Sequence, residues 1–258
     1  MQATARHRFL DDYAKIRRAE GRGSDDPAYY LALPYRDLSG RNSAQWAIRA
    51  RSYAYLEEHV LGSAPLDILD VGAGNCWMSY RLALRGHRPL ALDIFADPRD
   101  GLGAARHYPA RFPVVEAEFD RLPFPGGRFD LLVYNSSIHY STDYRRTFSE
   151  ARRVLRPHGR VVILDSPIYR KRQHGEWMRA ERHQQFEKVY GFRSDNIPSI
   201  EFFDDLMLQE LAGDLGISWE IHRPWLGLAW HLRPWKAHLL GRRPPSRFWI
   251  LVARFRQP

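Results

Sequence analysis

The chain has 258 residues, 44% hydrophobic and 27% charged, a balance that suits one large globular domain and excludes a disordered chain. No stretch approaches the ~18 consecutive apolar residues of a membrane span; the charged N-terminus lacks the apolar core of a secretory leader, and Cys76 is the single cysteine, so no intrachain disulfide can form and a cytoplasmic location is expected. The net charge is +9, but only four of the 39 basic residues are lysine and none cluster in a long run, so a spread arginine surface is expected rather than a nucleic-acid footprint.

Residues 1–62 are expected to form an N-terminal helical cap. One helix falls near 9–20, and a turn-rich piece with Tyr29, Tyr30 and Tyr35 follows. A second helix starts at Ser43, with Trp46, Ala50, Tyr53 and Leu56 at helical steps. From there, 63–258 is expected as effectively one domain. Strands are predicted near 66–71, 88–93, 112–117, 129–135 and 160–165. They alternate with helical segments, as a doubly wound parallel sheet with right-handed crossovers requires. The stretch 167–215 predicts two helices separated by a loop at 191–198. The first, 174–190, is mostly polar and is a candidate lid. The final stretch, 217–255, holds two strand candidates around an insert rich in Trp, Pro and Arg at 224–243.

The most informative piece is Leu69-Asp70-Val71-Gly72-Ala73-Gly74-Asn75. An apolar strand ends in an acid and breaks into a glycine turn, and a helical pattern through Met78 and Leu82 follows at once. Glycines there let a ligand lie against backbone, and the helix start offers free amides. A second strand ends in Asp93, 23 residues after Asp70, close to the ~20-residue step of a carboxylate that grips a ribose diol. These features predict an adenosine-type cofactor. The eleven histidines have no paired-His or His–Cys spacing, so no metal site is expected.

The order of further motifs resembles the class I S-adenosylmethionine-dependent methyltransferase family. The motifs are the glycine loop, Ala91-Leu92-Asp93-Ile94, Glu116 to Pro125 with its Leu122-Pro123-Phe124 core, Phe129 to Asn135, and Glu150 to Arg160. The resemblance covers about 66–165. It implies an α/β, Rossmann-like fold with a mostly parallel seven-stranded sheet whose last strand is antiparallel, and S-adenosyl-L-methionine as cofactor. It also implies roles: Gly72, Ala73 and Gly74 beside the methionine part of the cofactor, Asp70 accepting from its ammonium, and Asp93 on the ribose hydroxyls. Ile94 would cover one adenine face, Glu118 would accept from the adenine amino group, Phe119 would offer its backbone amide, and Asn135 would stand at the mouth of the sheet. Two departures are Cys76, where the family has a third glycine, and Pro157-His158-Gly159 in place of Pro-Gly-Gly. The first is tolerable if φ at Cys76 is negative.

For methyl transfer the enzyme chiefly positions the nucleophile. His139, just past the fourth strand, is the candidate general base; a loop-packing histidine is the competing reading, and Asp165 is the alternative base. The expected acceptor is small or lipid-like, an aromatic compound being one option, enclosed by Tyr29, Tyr30, Tyr35, Trp46 and the lid. An RNA methyltransferase and a non-catalytic cofactor-binding protein are the alternatives. The insert 224–243 suits a peripheral membrane contact. Its aromatic and basic residues also suit stacking on nucleic-acid bases, and a plainer reading packs its tryptophans under the final strands.

Overall fold

The computed structural model describes residues 2–193 and 195–256. Among these described residues nine strands occur: β1 (Asp67–Val71), β2 (Arg88–Asp93), β3 (Val114–Glu116), β4 (Phe129–Asn135), β5 (Leu155–Leu164), β6 (Ile168–Tyr169), β7 (Phe203–Asp204), β8 (Ile217–His222) and β9 (Ile250–Phe255). Seven of them form one sheet in the order β3-β2-β1-β4-β5-β9-β8, and β6 pairs with β7 in a separate ribbon. In the large sheet β9 alone runs against its neighbours β5 and β8. Strands β1 and β2 are adjacent and parallel, with Asp70 opposite Ala91. The predicted strands at 112–117 and 160–165 are real but differently bounded. The third is trimmed to three residues, and the fifth begins at Leu155. Pro157, His158 and Gly159 therefore lie within β5, at a register shift opposite Phe129 and Leu131.

The helices are α1 (Gln2–Ala19), α2 (Pro27–Ala32), α3 (Ser43–Leu56), α4 (Trp77–Leu84), α5 (Tyr144–Val154), α6 (Arg172–Tyr190), α7 (Asp205–Leu215), α8 (Leu228–His231) and α9 (Arg233–Leu239). Every residue of β1 is buried, because helices cover both sheet faces. Alternate residues feed two cores. Ile68, Leu131 and Val133 meet Trp46, Tyr53 and Leu56 of α3 and Trp77 of α4. Leu69, Val71 and Leu132 meet Phe148 of α5 and Leu208 and Leu211 of α7. Among the described residues no helix is long and apolar enough to cross a membrane.

Two sequence expectations change. Tyr29 and Tyr30 do not enclose a ligand: they are buried in the first core, where Tyr30 stacks on His107 and donates to the Arg99 carbonyl, while Tyr35 faces solvent. Of that aromatic set only Trp46 reaches the cavity described below. Nor do the insert's tryptophans pack as a group under the final strands. Trp230 lies against Phe248, but Trp225 and Trp235 are exposed. The reason is room: Ile250 and Val252 fill one core and Leu251 and Ala253 the other, so β9 has no bare apolar face left.

Candidate active site

The parallel strands deliver their carboxyl ends to one edge, where open α/β sheets bind ligands. A cavity of about 370 Å³ opens there. The glycine loop forms its floor. Gly72 has φ of +74°, and a Cβ on it would stand 2.3 Å from the Ser137 Cβ, so both conformation and space demand glycine. The amides of Gly72 and Ala73 donate to the Leu92 carbonyl at 2.7 and 3.0 Å, tying the loop to β2. Gly74 follows at φ of +52° and donates its amide to Asp93 Oδ2 at 2.7 Å. Cys76 departs from expectation. Its φ is +62°, in the left-handed region, so the family's third glycine is replaced at a position where a side chain costs ~1–2 kcal/mol. It sits there because the chain must reverse into α4, with its amide donating to the Ala73 carbonyl.

Asp70, next to last in β1, lines the cavity, buried, with Oδ2 accepting from Ser79 of α4 at 2.6 Å. Burial, reinforced by the Asp93 charge, pushes its carboxyl up to about 7 against the pull of the Ser79 bond. This is a carboxyl short of positive charge, which an ammonium would supply. Asp93 is already committed to the protein: Oδ2 takes the Gly74 amide and Oδ1 the Phe95 amide at 2.9 Å. Each oxygen keeps a further lone pair. The pairing of Asp93 with Glu116 and the bond from the Ala117 amide to the Asp93 carbonyl bring Ile94, Glu118 and Phe119 to the same sheet edge. Asp93, Ile94, Glu118 and Phe119 lie outside the lining of the cavity, whereas Asp70, Gly72, Ala73, Gly74, Asn135 and His139 line it.

Asn135 ends β4 with its Oδ1 buried and unpartnered among the described residues. His139 is buried, its Nδ1 3.3 Å from Ser166 Oγ, and its imidazole is driven down to about 3 by burial and then by the Arg182 and Arg49 charges. It is therefore neutral and weakly basic. Asp165 stands at the end of β5 with φ of +51°, a strained conformation for a residue with a side chain. Its Oδ1 accepts from Ser52 at 2.6 Å, and its buried Oδ2 has no partner among the described residues. Burial raises its carboxyl above the ordinary range, against the Ser52 bond and the nearby Arg49 charge.

Several lining residues carried no motif. Arg49 of α3 reaches in beside Trp46, 4.7 Å from that ring, and has only a long 3.4 Å contact to Ser136 Oγ and no ion pair among the described residues. Burial, with Arg22 and Arg17 nearby, lowers its guanidinium to about 10. From α1 come Tyr13 and Arg17, from α6 Arg182 and Phe186, and from the last segment Phe248. The candidate lid α6 thus does face the cavity. Helical spacing flagged Trp46 but not Arg49, because a charged residue on a helix reads as solvent-facing until its neighbours are known.

Fold and edge together define an S-adenosylmethionine-type α/β methyltransferase scaffold. The family described as "Methyltransferase domain" matches residues 69–163. Over those residues the chain is similar to this methyltransferase family. Similar curated proteins include a malonyl-[acyl-carrier protein] O-methyltransferase of Geobacter sulfurreducens, 34% identical over 57% of this chain and 51% of that protein. A demethylmenaquinone methyltransferase of Thermus thermophilus is 33% identical over 51% of this chain and 59% of its own length. The chain spans about half the length of the curated relatives it matches. Among solved structures, an S-adenosylmethionine-dependent methyltransferase from Mesorhizobium loti has a TM-score of 0.56 at 21% identity, covering 82% of this chain and 97% of its own; this likeness is one of fold.

Proposed function

We propose that the protein transfers a methyl group from S-adenosylmethionine to a small or lipid-like acceptor carrying a weakly acidic hydroxyl, a phenol or an enol, with Asp165 as the general base. The observation that carries the proposal is a pair of groups in the cavity: a buried carboxylate oxygen of Asp165 without a hydrogen-bond partner, and beside it the Arg49 guanidinium, which feels the Asp165 charge but makes no direct ion pair, both among the described residues. The cofactor supplies an activated methyl on a positively charged sulfur. Its holders in this reading are Asp70 at the ammonium, the glycine-loop backbone along the methionine chain, Asp93 at the ribose, and Ile94, Glu118 and Phe119 at the adenine. The fit is supported by the carboxyl of Asp70, held protonatable near neutrality until a cation arrives.

On the acceptor side, Trp46, Phe186 and Phe248 offer apolar surface for an aromatic or unsaturated body. Arg49 stabilises negative charge on the acceptor oxygen, and Asp165 takes its proton. A carboxylate whose affinity for protons is raised by burial works nearer to physiological pH than an ordinary one. His139, neutral and weakly basic, orients the acceptor or packs the loop. Correct placement of nucleophile and cofactor accounts for ~7–11 kcal/mol of barrier lowering in such reactions. The names of the relatives, with acyl-carrier and quinone-type acceptors, support a small or lipid-like acceptor class.

The test is calorimetry with S-adenosylhomocysteine, followed by transfer of labelled methyl to a panel of phenols, enols, carboxylic acids and amines. Asp165→Asn should lower kcat by ~10²–10⁴-fold and leave cofactor affinity unchanged. Full activity in that variant, or label reaching amines alone, would overturn the assignment. Cofactor binding with no transfer to any acceptor class would favour the non-catalytic alternative.

A further inference from the structure

From Ile221 to the C-terminus the sequence contains eight Lys or Arg residues and not one Asp or Glu. Within this stretch, α8 and α9 follow each other with a single residue, Leu232, between them, itself helical at φ −80° and ψ −10°. Leu228, Leu232, Trp235 and Leu239 recur at steps of four, three and four, so they fall on one side of this helical run. All four are exposed, at 65%, 52%, 75% and 77%, and Trp225 and Leu240 lie open beside them. Large apolar side chains left bare together are unusual on a folded surface and mark a site of contact. Cations accompany them. Lys236 and Arg242 have no ion pair among the described residues, whereas Arg243 is held by Glu181.

We propose that α8 and α9 form an interfacial anchor that seats the protein on a bilayer containing anionic phospholipid, with Trp235, Leu228, Leu232 and Leu239 entering the headgroup boundary and Lys236 and Arg242 pairing with lipid phosphates. The combination of tryptophan and leucine on one side with unpaired basic residues and no acid is the chemistry of helices that lie in a membrane surface. A stretch of chain that carries basic residues and no acid is drawn to an anionic membrane surface, and each basic residue near the lipid adds to the attraction. A second copy of this chain is a poorer occupant, since it would bring the same basic stretch face to face.

The anchor is fastened to the elements that build the cavity. Arg51 of α3 donates to the Leu226 carbonyl at 3.0 Å, and the Trp230 ring lies 4.7 Å from that of Phe248, which lines the cavity. Seating α8 and α9 on lipid therefore holds the cavity close to the membrane surface. The anchor stands independently of how the cavity performs its chemistry.

The experiment is flotation of the full chain with phosphatidylcholine vesicles, with and without phosphatidylglycerol, at low and high salt. Flotation with the anionic vesicles alone, weakened by salt and accompanied by a blue shift in tryptophan emission, is the expected result. The pair Trp235→Glu and Leu239→Glu should cut vesicle affinity by about tenfold or more, while Lys236→Glu and Arg242→Glu should abolish the salt-sensitive part. Both pairs are exposed, so unchanged melting temperature and S-adenosylhomocysteine affinity would show that the fold is intact. Absence of flotation with anionic vesicles overturns the proposal. So does binding to an RNA oligonucleotide, or self-association in sedimentation, that is lost in these variants while no vesicle binding is seen.

Discussion

Replacing Gly72 with alanine tests how the glycine loop is built. Two costs add at this position. The left-handed φ of +74° penalises any Cβ by ~1–2 kcal/mol. The new methyl would also stand 2.3 Å from the Ser137 Cβ, far inside the ~3.5–4.0 Å contact distance of carbon atoms. Overpacking of that kind costs a further ~1–3 kcal/mol, giving a total of ~2–5 kcal/mol for Gly72→Ala. Gly74→Ala is the control: φ is again positive, but the nearest atom to its Cβ is 3.9 Å away, so only the ~1–2 kcal/mol conformational cost applies. For a chain of this size each kcal/mol shifts Tm by ~2–4 °C. Thermal and urea unfolding of both variants without cofactor would measure the difference. A second substitution, Ser137→Gly, removes the atom in the way. It should recover the packing part of the Gly72→Ala loss, less the ~1 kcal/mol for its bond to the Val71 carbonyl. If Gly72→Ala unfolds no earlier than Gly74→Ala, or if the double variant recovers nothing, the steric argument is wrong.

Asp93→Ala should weaken S-adenosylhomocysteine binding by ~10-fold or more and also lower stability by ~1–3 kcal/mol, since the amides of Gly74 and Phe95 lose their acceptor; calorimetry and melting together check both effects. Cys76→Gly should leave stability within ~1 kcal/mol of the parent, because relief of the left-handed strain offsets the entropy that glycine adds to the unfolded chain, as urea titration would show. Asp67 is held near 2 instead of an ordinary 3.8 by hydrogen bonds from Arg88 and Arg156, so its contribution is complete above pH ~4 and is lost as pH falls toward 2; allowing for the exposed arginines it is worth ~1–2 kcal/mol, and Asp67→Asn should flatten the acid limb of stability by that amount. In single-turnover assays His139→Ala should leave the pH dependence of methyl transfer unchanged, since a group held near 3 does not titrate in the working range.

The sequence by itself determined the sheet's central strands, the glycine loop and the acids that end β1 and β2. Each of these is a local pattern: an apolar run is a buried parallel strand wherever it occurs, and a glycine at a turn announces its own φ. Local patterning also picked out Asn135 and His139 at the mouth, because a strand's end follows from its length. It could not weigh His139 against Asp165. Their basicity depends on what surrounds them, and the surroundings come from distant chain: burial first, then the charges of Arg182 on α6 and Arg49 on α3, push His139 down, while Ser52 occupies one oxygen of Asp165 and leaves the other open. The same holds for the aromatic residues. Tyr30 and Trp46 look alike in sequence, yet one packs against His107 in the core and the other reaches the cavity. The insert shows the converse, since its tryptophans and leucines are apolar enough for a core but β9 has both faces filled, and only the assembled sheet shows that they are left outside. Patterns along the chain set which elements form. Burial, and with it the charge state and reach of every site residue, is a property of neighbours that meet only when the elements pack.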